Sequence, residues 1–326
     1  MKMKKVLMML CSVLVFTACS SDDDDYTKLS VDLKDLSLSF TAKATESLTV
    51  TVDTDQETWA AKPDKDWCKV ALKGSNQFVV TAEPNMSGQA SEAAIITVTA
   101  TGAKPIQIKV TQVAATAEEQ EQAAYDKYVN ADMRAAITKL NMPINRGINP
   151  PKIEGYYRMK YIFLSTTNSA ENSYLGTRFN DGKHYFYNQE DFQVSMKTYY
   201  VEKDTDNHSS THEGTGTFIT GEGNKFSIFM EEKAMSNGYT SISLTILSGE
   251  VVKTSDKITG IRDFRYAFIM KDRGGNPNVV HVGQGRVFKD DEAAVITKEQ
   301  FEKLVQSTGL KSGSSDSGIS LISSLH

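Results

Sequence analysis

The chain has 326 residues, of which 40% are hydrophobic and 24% charged, and a formal net charge of −5 at pH 7. That is the profile of a folded protein long enough for two domains. An acidic balance excludes nucleic acid as a partner class, because a phosphate backbone is held by clustered Lys and Arg.

In chain order, Lys2, Lys4 and Lys5 precede an apolar run from Val6 to Phe16, and Phe16-Thr17-Ala18-Cys19 closes it with small residues. Positive charge, greasy stretch and small residues are the pattern of a cleaved secretory leader. The run is too short to span a bilayer as a helix. The segment resembles a bacterial lipobox, with Phe16 where that motif usually carries Leu. The resemblance implies cleavage after residue 18 and acylation of Cys19, which would tether the chain to a membrane through its acyl groups. Ser20-Ser21-Asp22-Asp23-Asp24-Asp25 follows and is similar to the acidic signal that takes lipoproteins of Bacteroidetes to the outer face of the outer membrane. Residues 19–30 therefore read as an acylated linker with an export signal. With Cys11 in the leader and Cys19 acylated, Cys68 has no disulfide partner. It alternates with Val70 and Leu72 and is expected to be a buried strand thiol, since free cysteine behaves as a small hydrophobe.

From 31 to 113 the period is two. Leu36, Leu38 and Phe40 alternate with polar neighbours, as do Leu48, Val50 and Val52, Phe78, Val80 and Ala82, Ile96, Val98 and Ala100, and Ile106, Ile108 and Val110. Short alternating strands broken by polar turns predict an all-β sandwich. The landmarks Leu38-Ser39-Phe40, Thr58-Trp59, Asp66-Trp67, Pro84-Asn85 and Ile108-Lys109-Val110-Thr111-Gln112 resemble the BACON domain, an immunoglobulin-like module named for carbohydrate binding. Gln89-Ala90-Ser91-Glu92 departs from the Arg often found after the Asn turn of that family. The resemblance implies glycan contact, and Trp59 and Trp67 are the only tryptophans that could stack on a sugar ring. The other reading of the module is a stalk with a buried tryptophan.

At 114–144 good helix formers take over, with acids at the start, where the macrodipole favours them. Tyr125, Tyr128, Val129, Met133, Ala136, Ile137 and Leu140 form one apolar stripe, predicting a linking helix over 117–140 that packs on the second module. Pro143 and Pro150-Pro151 end it.

From 145 to 310 the strands are longer. Runs at 155–164, 183–188, 192–202, 216–219, 226–231, 242–252, 264–271 and 279–288 predict an up-and-down meander of eight strands, the number that closes a small barrel. Thr297 and Gln300 form a capping box for a last helix, whose Phe301, Leu304 and Val305 would cover the barrel; 311–326 reads as a flexible tail. Ile153-Glu154-Gly155-Tyr156-Tyr157 is similar to the opening of lipocalin-like (calycin) barrels. That resemblance implies a fold and, if the barrel is hollow, an apolar small-molecule visitor. The expected architecture is thus all-β: an Ig-like β-sandwich, a short helix, then an eight-stranded lipocalin-like β-barrel.

Catalytic signals are missing from the sequence. His208 and His212 have a zinc-like spacing, but Asp204 to Glu213 is too polar for a helix and reads as a solvated hairpin loop. Asp204-Thr205-Asp206 lacks the glycine and final glutamate of an EF-hand. Gly214-Thr215-Gly216 and Gly221-Glu222-Gly223 are not followed by Lys-Ser/Thr and are not phosphate cradles. Glu213, Glu231, Asp290 and Asp291 are carboxylates without a recognisable partner. Tyr185-Phe186-Tyr187 and Tyr199-Tyr200 place aromatics on both faces of their strands, so Tyr185, Tyr187, Tyr199 and Tyr200 join Trp59 and Trp67 as candidate ligand contacts. The sequence therefore predicts a non-catalytic surface lipoprotein with no metal and no cofactor. It faces the cell exterior and captures polysaccharide or glycan beside protein partners of an uptake system. A barrel carrier of a small apolar ligand, or an adhesive or structural subunit, is the alternative.

Overall fold

The structure is a computed structural model that describes residues 27–179, 181–201, 209–236, 238–277 and 279–307, with side chains at 199–201, 209–216, 234–236 and 303–307 left out of the description. Cys19 with its acidic neighbours, His208, the Asp204-Thr205-Asp206 stretch and the 311–326 tail lie outside the described residues. The chain divides into two compact units. One runs to Asn85 and resumes over Ser91–Val113; the other comprises Met86–Ala90 and everything from Ala114 onward.

The first unit contains β1 (Leu29–Val31), β2 (Ser37–Phe40), β3 (Leu48–Thr54), β4 (Trp59–Pro63), β5 (Cys68–Lys73), β6 (Gln77–Ala82), β7 (Ala94–Ala100) and β8 (Ile106–Gln112). They form two four-stranded sheets, ordered β1-β3-β6-β5 and β2-β8-β7-β4. Alternation does what the sequence predicts: in β7, Ala94, Ile96 and Val98 are buried and the residues between them are not. Phe40, Val50, Phe78, Val80, Ile96, Ile108 and Val110 meet in one core. Each such side chain, taken from water, contributes about 1.5–3 kcal/mol. β2 lies parallel to β8, and the buried Gln112 holds that corner: its Nε2 donates to the Glu83 carbonyl at 2.7 Å while its Oε1 accepts from Ser91 Oγ at 2.7 Å. A buried amide with both ends engaged carries no desolvation penalty. The edge strand β4 has no alternating signature, because Trp59, Ala60 and Ala61 are all half-buried.

The second unit opens with α1 (Ala117–Tyr128) and α2 (Ala131–Lys139), where the sequence predicts one helix. The stripe is continuous but the backbone is not. Val129 leaves helical geometry at φ −117°, ψ 85°, and Asn130 starts afresh by accepting from Met133 N, the ordinary use of Asn as an N-cap. Thr116 and Glu119 make a complete capping box on α1. The stripe packs as expected on the second unit, Tyr125, Val129, Met133, Ile137 and Leu140 meeting Phe218, Phe229, Leu244, Ile246, Ala267 and Ile269. Buried Glu121 pins α1 down, accepting from Arg146 Nε at 2.9 Å and from Thr220 Oγ1 at 2.8 Å, while the guanidinium sits 4.1 Å from the centroid of the Tyr125 ring.

Then follow β9 (Gly155–Met159), β10 (Ile162–Thr166), β11 (Gly182–Glu190), β12 (Gln193–Val201), β13 (Ser209–Glu222), β14 (Lys225–Ser236), β15 (Tyr239–Thr254), β16 (Lys257–Asp272), β17 (Gly285–Val295) and α3 (Lys298–Ser307). The strands make one antiparallel sheet, β10-β17-β16-β15-β14-β13-β12-β11-β9, and β9 also pairs with β17. That additional pairing is short, Arg158 opposite Ala294 and Tyr157 opposite Val295. The all-β fold class holds.

Three local expectations are corrected. The strand expected over 155–164 breaks into β9 and β10 at Lys160–Tyr161. There Lys160 N leaves the ladder for the buried Asp290 carboxylate at 2.8 Å, and Tyr161 is fully buried. The last strand is Gly285–Val295 rather than 279–288; its Lys289-Asp290-Asp291-Glu292 run hides it from any hydrophobic count. His212, expected in a loop, has its backbone in β13 opposite Thr198.

Both faces of the long strands are covered, and β16 is accordingly apolar almost without alternation from Tyr266 to Met270, as in any sheet buried on two sides. One face carries the helices. The other gathers Tyr157, Tyr161, Phe163, Phe186, Phe226, Phe264, Tyr266 and Phe288 into a single aromatic cluster.

Candidate functional site

Trp59 begins β4, directly opposite Ala100 of β7. Its inner side lies against Phe78, ring centroids 5.9 Å apart at 53°, and its Nε1 donates to the Ser75 carbonyl at 2.8 Å. The ring is thereby fixed, with its N–H spent, and it remains half-exposed. It borders an open depression of about 410 Å³ whose other walls are Thr58, Ala60, Thr99, Ala100 and Thr101. Thr58, Thr99 and Thr101 are exposed. Because Trp59 pairs with Ala100 and Ala60 with Thr99, Trp59 and Thr99 project from opposite faces of the sheet, and the indole offers its remaining exposed edge alone.

Trp67 is placed differently. Its Nε1 donates to the Glu92 carbonyl at 3.0 Å, and the indole packs on the sandwich core beside Cys68. The structure does not bring the two tryptophans together. Cys68 is buried, and that burial, with Asp64 adding to it, pushes its thiol up to about 11. So little thiolate forms at neutral pH that Ellman's reagent should leave Cys68 untouched in the folded protein and label it fully in guanidinium. Fast labelling under native conditions would contradict this placement.

Tyr185 and Tyr187 lie on the face of β11 opposite His184 and Phe186, and are joined by a residue that sequence reasoning missed. Tyr156 of β9 stacks on Tyr185 with centroids 4.2 Å apart at 9°, and Tyr185 on Tyr187 at 4.8 Å and 17°. Phe301 of α3 covers Tyr156 and Tyr185 at 5.3 Å and 5.9 Å, and Lys183 Nζ donates to the Gln300 carbonyl. Burial and the neighbouring Tyr185 hydroxyl push Tyr156 up to about 12. Rings stacked face to face have spent their faces on each other, so this ladder is a seat for α3. The backbones of Tyr199 and Tyr200 pair in β12 with Lys183 and Gly182; their side chains lie outside the described residues.

His184, also missed, is fully buried in the aromatic cluster. Its Nδ1 pairs with Thr198 Oγ1 at 3.0 Å and its Nε2 with Tyr161 Oη at 3.3 Å. The alternation with Phe186 was the available signal. Sealed from solvent, this trio has the partners of an acid–base relay and no access for a substrate. The carboxylates have structural work: Glu231 pairs with Lys271, Asp290 binds Lys160 N, and Asp291 meets Lys289 at 3.1 Å. The Glu213 side chain lies outside the description. Among the described residues no group of three or more His, Cys, Asp or Glu could hold a metal ion, and no helix is long and apolar enough to cross a membrane.

No family model matches the chain, and no curated protein does. Among solved structures, a Bacteroides ovatus GH5 xyloglucanase in complex with a XXXG heptasaccharide is 22% identical over 47% of this chain and 30% of its own, with a TM-score of 0.25. This chain therefore spans under a third of that enzyme. Domains 5–6 of the S-layer protein SbsC are 14% identical over 80% of this chain and 97% of theirs, with a TM-score of 0.21. At these scores neither likeness carries an argument about fold or activity.

Proposed function

We propose that the protein is a non-catalytic lipoprotein of the outer membrane, anchored through Cys19, facing the cell exterior and capturing glycan. One observation carries the reading: Trp59, held against Phe78 and by the Ser75 carbonyl, stays half-exposed on the edge strand β4 of the sandwich. The leader and acidic stretch supply the address. The aromatic cluster of the second unit favours surface capture over carriage, because ring packs on ring where a carried ligand would sit.

Affinity electrophoresis through gels containing plant and mucin polysaccharides tests the capture. Wild-type protein and Trp67→Phe should be retarded, and Trp59→Ala should migrate freely. Free migration of the wild type in every polymer removes the reading. The anchor is tested separately by detergent partitioning, where wild type should enter the detergent phase and Cys19→Ser the aqueous phase.

A further inference from the structure

We infer that Tyr185 and Tyr187 form an oxidative modification site, at which a one-electron oxidant joins their rings as an intramolecular dityrosine. The two side chains lie on the same face of β11, and their rings stack with centroids 4.8 Å apart at 17°. Both are half-buried, within reach of a small diffusible oxidant. Tyr156 stacks on Tyr185 as well, at 4.2 Å and 9°. An electron hole created on Tyr185 is shared with its stacked neighbours, which favours oxidation there. Another tyrosine pair, Tyr161 with Tyr266 at 5.4 Å, is sealed in the interior at 0% and 4% exposure.

Covalent geometry selects Tyr187, not Tyr156, as the partner. The new bond runs between ring carbons ortho to the two hydroxyls, so the joined rings lie edge to edge and hold their Cβ atoms well apart. Tyr156 stands directly opposite Tyr185, where Cβ atoms are only about 4.5–5.5 Å apart. Alternate residues of one strand are separated by about 6.8 Å, and that spacing accepts the joined pair without parting two strands. Tyr187 also has room to turn: the β11–β12 register shifts just after it, and Asn188 takes a positive φ of 52°. In the reaction each phenol gives up one electron and its hydroxyl proton. The two phenoxyl radicals couple carbon to carbon, and each bonded carbon then passes its hydrogen, as a proton, to the oxygen as aromaticity returns. With hydrogen peroxide and a haem peroxidase as oxidant, one peroxide becomes two waters. Rings already in contact couple far faster than rings that must meet by diffusion.

For the test, dilute full-length protein is treated with a haem peroxidase and hydrogen peroxide. Dimerisation of N-acetyltyrosine in a parallel sample shows that the oxidant is active. The monomer is isolated by size exclusion and digested with trypsin. Cleavage after Lys183 and Lys197 releases residues 184–197 as one peptide holding both rings. That peptide should appear two hydrogen atoms lighter, with dityrosine fluorescence and no fragmentation between Tyr185 and Tyr187. Tyr187→Phe keeps a stacked ring but no phenol and should abolish the product, whereas Tyr156→Phe should retain it. A monomer whose 184–197 peptide keeps its mass while N-acetyltyrosine dimerises overturns the inference. So does a product that survives Tyr187→Phe, or a 184–197 peptide joined to residues 153–158, which carry Tyr156.

Discussion

Arg286→Met should destabilise the second unit by about 3–5 kcal/mol, because it strands a carboxylate in the interior. Arg286 and Glu171 keep only 6% and 7% side-chain exposure, and they meet as a two-pronged pair, Nε to Oε2 at 2.9 Å and Nη2 to Oε1 at 2.7 Å. Thr166 Oγ1 and Asn168 Nδ2 complete the shell at 2.8 Å and 3.2 Å. Every carboxylate oxygen is thus doubly served, which is the condition under which a buried ion pair tolerates its desolvation. Removing one partner costs much more than removing both. Arg286→Met with Glu171→Leu should recover most of the loss, and a double variant as unstable as the single one would contradict the argument. Near-UV circular dichroism of the tyrosines during urea unfolding is the readout, since Trp59 and Trp67 both belong to the first unit and their fluorescence reports that unit alone.

The same pair gives a pH dependence with a defined sign. Burial by itself would raise the Glu171 carboxyl, but the Arg286 hydrogen bonds, with Thr166 and Asn168, outweigh it and hold the group below its ordinary value. A carboxyl lowered on folding contributes stability that is complete above the unfolded value, about 4.3. That contribution drains away as the pH falls through the lowered folded value. Wild type should therefore lose stability over that acid window, and the Arg286→Met, Glu171→Leu variant should lose less.

How much of this was legible in the sequence follows from distance along the chain. The sandwich was readable because Ile96 and Val98, or Ile108 and Val110, carry their face in the very next residues. The helical stripe was readable for the same reason, and only Val129 and Asn130, whose cap depends on one backbone angle, broke the expectation. β17 was misplaced because its charged run is held by tertiary partners: Asp290 reaches across to Lys160, 130 residues away in sequence. Glu171 and Arg286 stand 115 residues apart, and no local pattern marks either. The Trp59 depression was half readable. The aromatic could be named, but its packing on Phe78 and its bond to the Ser75 carbonyl are properties of the folded sandwich. Tyr185 and Tyr187 were named as candidate ligand contacts; what the sequence did not show is that Tyr185 is stacked by Tyr156 and covered by Phe301, brought in by strand pairing and by α3.

Phe288→Ala should cost about 3–5 kcal/mol and create an apolar void where the native protein has none to spare. Phe288 is 2% exposed, and its ring lies 5.3 Å from Phe163, 5.5 Å from Tyr161, 5.6 Å from Phe179 and 6.3 Å from Tyr266. Four neighbouring rings cannot all collapse onto a methyl group, so the loss combines the removed transfer free energy with an unfilled cavity. A void lined in this way stays dry and admits small apolar guests. Xenon or benzene should stabilise the variant detectably and leave the wild type unmoved, as binding to the folded state alone requires. That contrast separates a filled aromatic face from a carrier's cavity. If the wild type gained as much stability from the guest as Phe288→Ala did, the cluster would already hold room for a ligand, and the second unit would have to be read as a carrier.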